Sequence, residues 1–171
     1  MDLRNQECRE FRLDLEHVGG YRFASQASEE GQPHGEVFFS DEPEPVGAAS
    51  GPATPALLGA AIGHCLSASL LEALRHAHLD VEAMATQVIS VVAASSEGLP
   101  RIDHVDVVIT PQLAAFAPRA LRCEEIFERH CTVTSSVRQG IDIRVRVDWG
   151  GAAGNGATPA VAAAADPPSA V

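Results

Sequence analysis

The sequence predicts an α+β fold: a largely antiparallel sheet, a long central helix and a second helix. Three observations predict it. Residues 8–24 alternate apolar and polar on either side of Gly19-Gly20, the period of half-exposed strands. Residues 54–78 form one stretch whose apolar side chains return every three or four positions, the period of a helix. Near the end, Ile141, Ile143, Val145 and Val147 alternate with Asp142, Arg144, Arg146 and Asp148, which marks a strand with one buried face.

Taken in order, Phe11, Leu13 and Leu15, then Gly19-Gly20, then Tyr21 and Phe23 read as strand, turn and strand. Gly31, Pro33 and Gly35 read as a loop, and 36–39 as a short third strand. Residues 41–54 are dense in Pro, Gly, Ala and Ser, which excludes regular structure; such a segment is a linker or lines a site. Thr54 reads as an N-cap with Pro55 in the first helical position. The helix runs to about His78, with Leu58, Ala61, Ile62, Cys65, Ser69, Leu70 and Leu74 along a stripe that Leu57 and Leu66 widen. Gly59, Ala60, Gly63, Ser67 and Ala68 are small and permit close approach of another element, so the helix reads as buried on most sides. In a chain this short, such a helix needs a second surface to cover it. Residues 86–95 and 102–110 form a hairpin around Gly98 and Pro100, ended by Pro111. The second helix spans 118–130 with Cys131 at its end, and a short helix over 132–139 is closed by Gly140. Residues 1–149 make one domain, and 150–171, rich in Ala, Gly and Pro, a disordered tail.

Bulk properties narrow the function. Aromatics are only 5% of the 171 residues, so the core must be aliphatic. A net charge of −11 argues against nucleic acid and against an anionic membrane surface. Charges scattered through residues 1–12 leave no room for a secretory signal, and no run approaches the ~18 apolar residues of a membrane span, so the cytoplasm is expected. The four cysteines, Cys8, Cys65, Cys123 and Cys131, contain no CxxC pair, and the histidines no HExxH spacing. His76 and His78 do not share a helix face. Neither a metal nor a cofactor is expected. In a reducing compartment a permanent disulfide framework is unexpected, leaving buried inert thiols, a reactive thiol, or both.

Two stretches then carry a resemblance: DEPEPVGAASGPATPALLGAAIGHCLSASLLEAL (41–74) and FERHCTVTSSVRQGIDIRVRV (127–147). The first is a Gly- and Pro-rich loop leading into a long helix that holds a cysteine. The second is a cysteine at a helix end, a short turn-helix and a closing strand. Together they resemble the OsmC/Ohr family over residues 10–148. The resemblance implies an OsmC-like fold in an intertwined homodimer, its two long helices packed between sheets and its site at the dimer interface. It implies a thiol peroxidase in oxidative stress defence that reduces organic hydroperoxides, with Cys65 as peroxidatic residue, Cys131 as resolving residue and an external dithiol as reductant. Arg22 is the nearest match to an N-terminal arginine of that family. One position departs: peroxidase-type members carry Glu directly after the Pro that opens the central helix, and this chain has Ala56, with no carboxylate between Pro55 and Leu71. The alternative is therefore an inactive dimer that binds a small apolar ligand or senses redox state.

The chemistry sets requirements. The nucleophile is a thiolate, so a cation from elsewhere in the fold or from the partner subunit must face Cys65. Cys65 lies beyond the first helical turn, where the helix dipole acts, and its neighbour His64 points to another face. Arg22 is the first candidate cation and Arg138 the second. Leu58, Ile62, Leu66 and Phe127 would favour an apolar peroxide. Cys8 and Cys123 read as spectators; Cys123 stands about two helical turns before Cys131, too far to pair within one helix.

Overall fold

The computed structural model describes residues 10–149, so Cys8 and the 150–171 tail lie outside the described residues. The chain divides into two units, Met1–Leu58 and Gly59–Val171. The described residues place one three-stranded sheet in each.

In the first unit, β1 (Phe11–Gly19), β2 (Arg22–Glu29) and β3 (Gln32–Ser40) form an antiparallel meander. Gly19 and Gly20 make the first turn at φ 131° and 57°, conformations that favour glycine. The loop expected over Gly31, Pro33 and Gly35 shrinks to a turn at Glu30-Gly31, because β3 begins at Gln32. Pro33 is tolerated there since β3 is an edge strand. Gly35, at φ 71°, belongs to a bulge in which Gly35, Glu36 and Val37 oppose the single residue Gln26. The Gln26 amide donates to the carbonyls of His34 and Gly35 and fills the interrupted ladder. Leu13, Leu15, Val37 and Phe38 are all exposed.

The 41–53 loop has no regular structure, as expected, yet it is organised by one carboxylate. Asp41 is buried and accepts from the Glu42, Ala48 and Ser50 N–H groups and from the Ser50 hydroxyl at 2.7 Å. Those donors hold its carboxyl below the usual carboxylate range, the Ser50 hydroxyl most of all.

The long helix α1 spans Thr54–His76. Leu57 N–H donates to the Ala53 carbonyl, so Ala53 rather than Thr54 occupies the cap position. The second sheet has the order β4 (Val81–Ala94), β5 (Pro100–Leu113), β6 (Asp142–Val147). Both hairpin strands outrun the sequence reading. Pro111 does not end β5: it pairs with Met84 beyond the stretch bordered by β6, where a missing N–H is tolerated. Among the described residues the strand pairings are largely antiparallel, as expected; the closing strand is the exception, because β6 runs parallel to β5, with Val105 opposite Ile143 and Val107 opposite Val145. The connection between them is long and helical, as a parallel crossover demands. It holds α2 (Arg119–Ile126), a 3-10 turn (Phe127–His130) and α3 (Thr132–Val137).

Gly59, Gly63 and Ser67 stand in one row on α1 and meet Ser90, Val88 and Thr86 of β4. A Cβ on Gly63 would lie 2.5 Å from Val88 Cγ2, and one on Gly59 would lie 2.8 Å from Ser90 Oγ. The Ser67 hydroxyl bonds Thr86 Oγ1 at 2.6 Å. Ile62, Leu66, Leu70 and Leu74 are fully buried, as are Val105, Ile109 and Phe127 or nearly so. The opposite side of α1, with Ala60, Ala61, His64 and Ala68, is exposed, so the single chain covers less of the helix than its composition suggested. By length and composition alone α1 could cross a membrane, contrary to the expectation that no run would qualify. Its buried leucine stripe and its close seat on β4 are those of a core helix.

Candidate functional site

Cys65 is half-buried near the middle of α1. Cys131 is completely buried where the 3-10 turn gives way to α3. Its backbone is extended, at φ −82° and ψ 103°, and it serves as the N-cap of α3. The Cys131 thiol donates to Thr134 Oγ1 at 3.0 Å, and Thr134 N–H donates back to the sulfur at 3.5 Å. The sequence Thr-Val-Thr-Ser-Ser-Val is a poor intrinsic helix former, and a helix this short depends on its cap.

The structure brings the two cysteines together although they lie far apart in sequence. Burial pushes the Cys131 thiol up from its ordinary range, and the adjoining Cys65 thiol pushes the same way; the Thr134 hydroxyl and N–H pull it down. Both thiols are free. Such a pair can hold two protons, or can lose two electrons and close to a disulfide.

The remaining candidates separate clearly. Cys123 is an interior thiol on α2 that donates to the Ala73 and Arg119 carbonyls, and burial raises its pKa. Arg138 pairs with Glu128 at 2.6 Å. Arg22 is half-buried on β2, its guanidinium 4.1 Å above the Phe39 ring, and its buried Nε has no hydrogen-bond partner among the described residues. Arg22 belongs to the first unit and Cys65 to the second. Ile62, Leu66 and Phe127 are core side chains, while Leu58 is half-buried. His64 and Ala56 are exposed. Sequence reading missed Thr134 altogether, because Cys131-x-x-Thr134 does not match the Ser/Thr-x-x-Glu/Gln spacing that marks a helix start.

No family model matches the chain, and no curated protein matches it. Solved structures do. An OsmC-like protein of unknown function from Vibrio cholerae superposes with a TM-score of 0.63 at 11% identity, over 84% of this chain and 100% of that one. The organic hydroperoxide resistance protein OsmC from Legionella pneumophila gives 0.61 at 12% identity, over 83% and 98%. The organic hydroperoxide resistance protein OhrB of Bacillus subtilis gives 0.56 at 16%, over 81% and 98%. The chain has the OsmC-like fold. Nearly the full length of each of those proteins is matched, so the likeness is to the whole fold rather than to a shared motif. In this OsmC-like chain Cys65 sits on the long helix and Cys131 on the crossover that leads into β6.

Proposed function

We propose that this chain is a cytoplasmic, homodimeric thiol peroxidase that reduces organic hydroperoxides with Cys65 and Cys131, in oxidative stress defence. The observation that carries this reading is the juxtaposition of a half-exposed Cys65 with a fully buried Cys131 on the OsmC-like fold. Solved structures of that fold include organic hydroperoxide resistance proteins. The Cys65 thiolate attacks the terminal peroxide oxygen; the O–O bond breaks, the alkoxide takes a proton and leaves as an alcohol, and Cys65 becomes a sulfenic acid. The Cys131 thiolate attacks that sulfur, the S–O bond breaks, hydroxide takes a proton to become water, and the Cys65–Cys131 disulfide forms. An external dithiol returns both thiols by exchange. The electrons come from sulfur throughout, so the cycle uses no cofactor. Arg22, with its unpartnered buried Nε, is the candidate cation for the thiolate. A second copy of the chain is the partner that the exposed Leu13, Leu15, Val37 and Phe38 and the small outer face of α1 call for.

A second reading rests on Ala56. With no carboxylate between Pro55 and Leu71 to hold an arginine, the dimer would bind a small apolar ligand without turnover, or act as a redox sensor.

Stopped-flow oxidation of the reduced protein by cumene hydroperoxide, with mass spectrometry of the product, separates them. The peroxidase reading expects fast oxidation ending in a Cys65–Cys131 disulfide, and a loss of about a thousandfold or more in Cys65→Ser. Oxidation no faster than that of free cysteine, or full turnover in Cys65→Ser, overturns it.

A further inference from the structure

We propose that Thr134 is the positioning residue of the resolving step, holding the Cys131 sulfur and supplying the hydroxyl donor that its thiolate needs. The inference rests on the two-cysteine reading and extends it to a residue that acts through the Cys131 sulfur.

Cys131 and Thr134 are both completely buried. Water is therefore not at hand to solvate an ionised sulfur, and an unpaired buried charge is costly. What the structure provides instead is Thr134 twice over: its hydroxyl at 3.0 Å and its N–H at 3.5 Å. The two groups differ in one respect. The N–H is a fixed donor at long range. The hydroxyl rotates, so it accepts from the neutral thiol and donates to the thiolate without displacement of a heavy atom. A contact that serves both protonation states holds the sulfur in one place while its charge changes. The step requires this, because Cys131 rests as a thiol and must attack the Cys65 sulfenic acid as a thiolate. As the S–S bond forms and the S–O bond breaks, the departing hydroxide takes up the proton that the Cys131 thiol gave up and leaves as water. The hydroxyl then has no thiol proton to accept, and the bond to the sulfur ends with the charge that it served.

Thr134→Val removes the hydroxyl and keeps the branched shape and the N–H; Thr134→Ser keeps the hydroxyl. In a single turnover with cumene hydroperoxide, the Cys65 sulfenate is trapped with dimedone and the disulfide is followed by mass spectrometry. In Thr134→Val the disulfide step slows about tenfold relative to sulfenate formation, the size of one lost hydrogen bond to a charged group. Its pH–rate midpoint moves upward, and Thr134→Ser restores both. An unchanged disulfide step and pH profile in Thr134→Val, or equal losses in the two variants, overturns the proposal. If the parent protein forms no Cys65–Cys131 disulfide, it is the peroxidase reading that fails. The Thr134 contact is then read by itself from the 240 nm thiolate absorbance of Cys131 in a background that carries Cys8→Ser, Cys65→Ser and Cys123→Ser. An upward shift of that titration in Thr134→Val retains the donor role, and no shift removes it.

Discussion

The two sheets bury their apolar side chains to very different degrees. In β5, Val105, Val107 and Ile109 are essentially buried, whereas in β1 Leu13 and Leu15 stay 46% and 58% exposed. The difference lies in what each strand set is given to pack on. The β4–β5–β6 sheet receives α1, whose Gly59, Gly63 and Ser67 let the helix backbone settle directly on Val88 and its neighbours. The β1–β2–β3 meander keeps its large apolar side chains exposed. Alternation thus states which residues share a face; it does not state whether one chain is enough to cover that face.

The largest test of this contrast is Leu66→Ala. Leu66 is fully buried, so its truncation should cost about 2–5 kcal/mol in chemical denaturation. A loss below about 1 kcal/mol would mean that the second unit is not the rigid core described. Gly63→Ala comes next. Its new Cβ meets Val88 Cγ2 at 2.5 Å, so helix and strand must part, at about 1–3 kcal/mol. Gly20→Ala supplies the counterpart in the first sheet: nothing lies within 4 Å, but φ is +57°, and the cost of about 1 kcal/mol is that of the left-handed backbone alone. A melting temperature in Gly63→Ala equal to that of the parent would break the close-packing account. For the first sheet, the proposed dimer predicts that Leu15→Glu raises its dissociation constant at least about tenfold in sedimentation, since a charge would then sit on the apolar face proposed to meet the second copy. A variant that remains as dimeric as its parent would show that this face is covered by something other than a second copy.

Much of this was legible in the sequence, and the failures have physical causes. The meander, α1, the hairpin, α2 and β6 were all visible because each has an undisturbed period over several residues. Strand ends were misplaced at Pro33 and Pro111, where proline reads as a terminator but sits on an open strand edge. The parallel pairing of β6 could not be seen, because orientation depends on the path of the crossover and not on the strand's own residues. The cysteine pair was legible only through the resemblance; composition and spacing left both thiols as plausible core residues. Thr134 and Asp41 were missed for one reason. Each matters through the group it bonds, the Cys131 sulfur in one case and a set of loop donors in the other, and a single sequence does not show which polar residues will be buried.

The smallest effect is also the one that separates the two regions by chemistry. The first unit's loop is held by the Asp41 carboxylate, which accepts from Ser50, Glu42 and Ala48, whereas the second unit is held chiefly by aliphatic packing. Those donors lower the folded-state pKa of Asp41. A group shifted this way contributes stability above its unfolded value of about 3.9, and the contribution disappears as pH falls through the lower folded value. Asp41→Asn should therefore be less stable than the parent at neutral pH, and the gap should narrow below about pH 4 as the parent carboxyl takes up its proton. Thermal unfolding between pH 7 and pH 2 reads the difference. A gap that stays constant across that range would mean that the carboxylate charge is not what orders the loop, and that the amide which replaces it fails for reasons of shape.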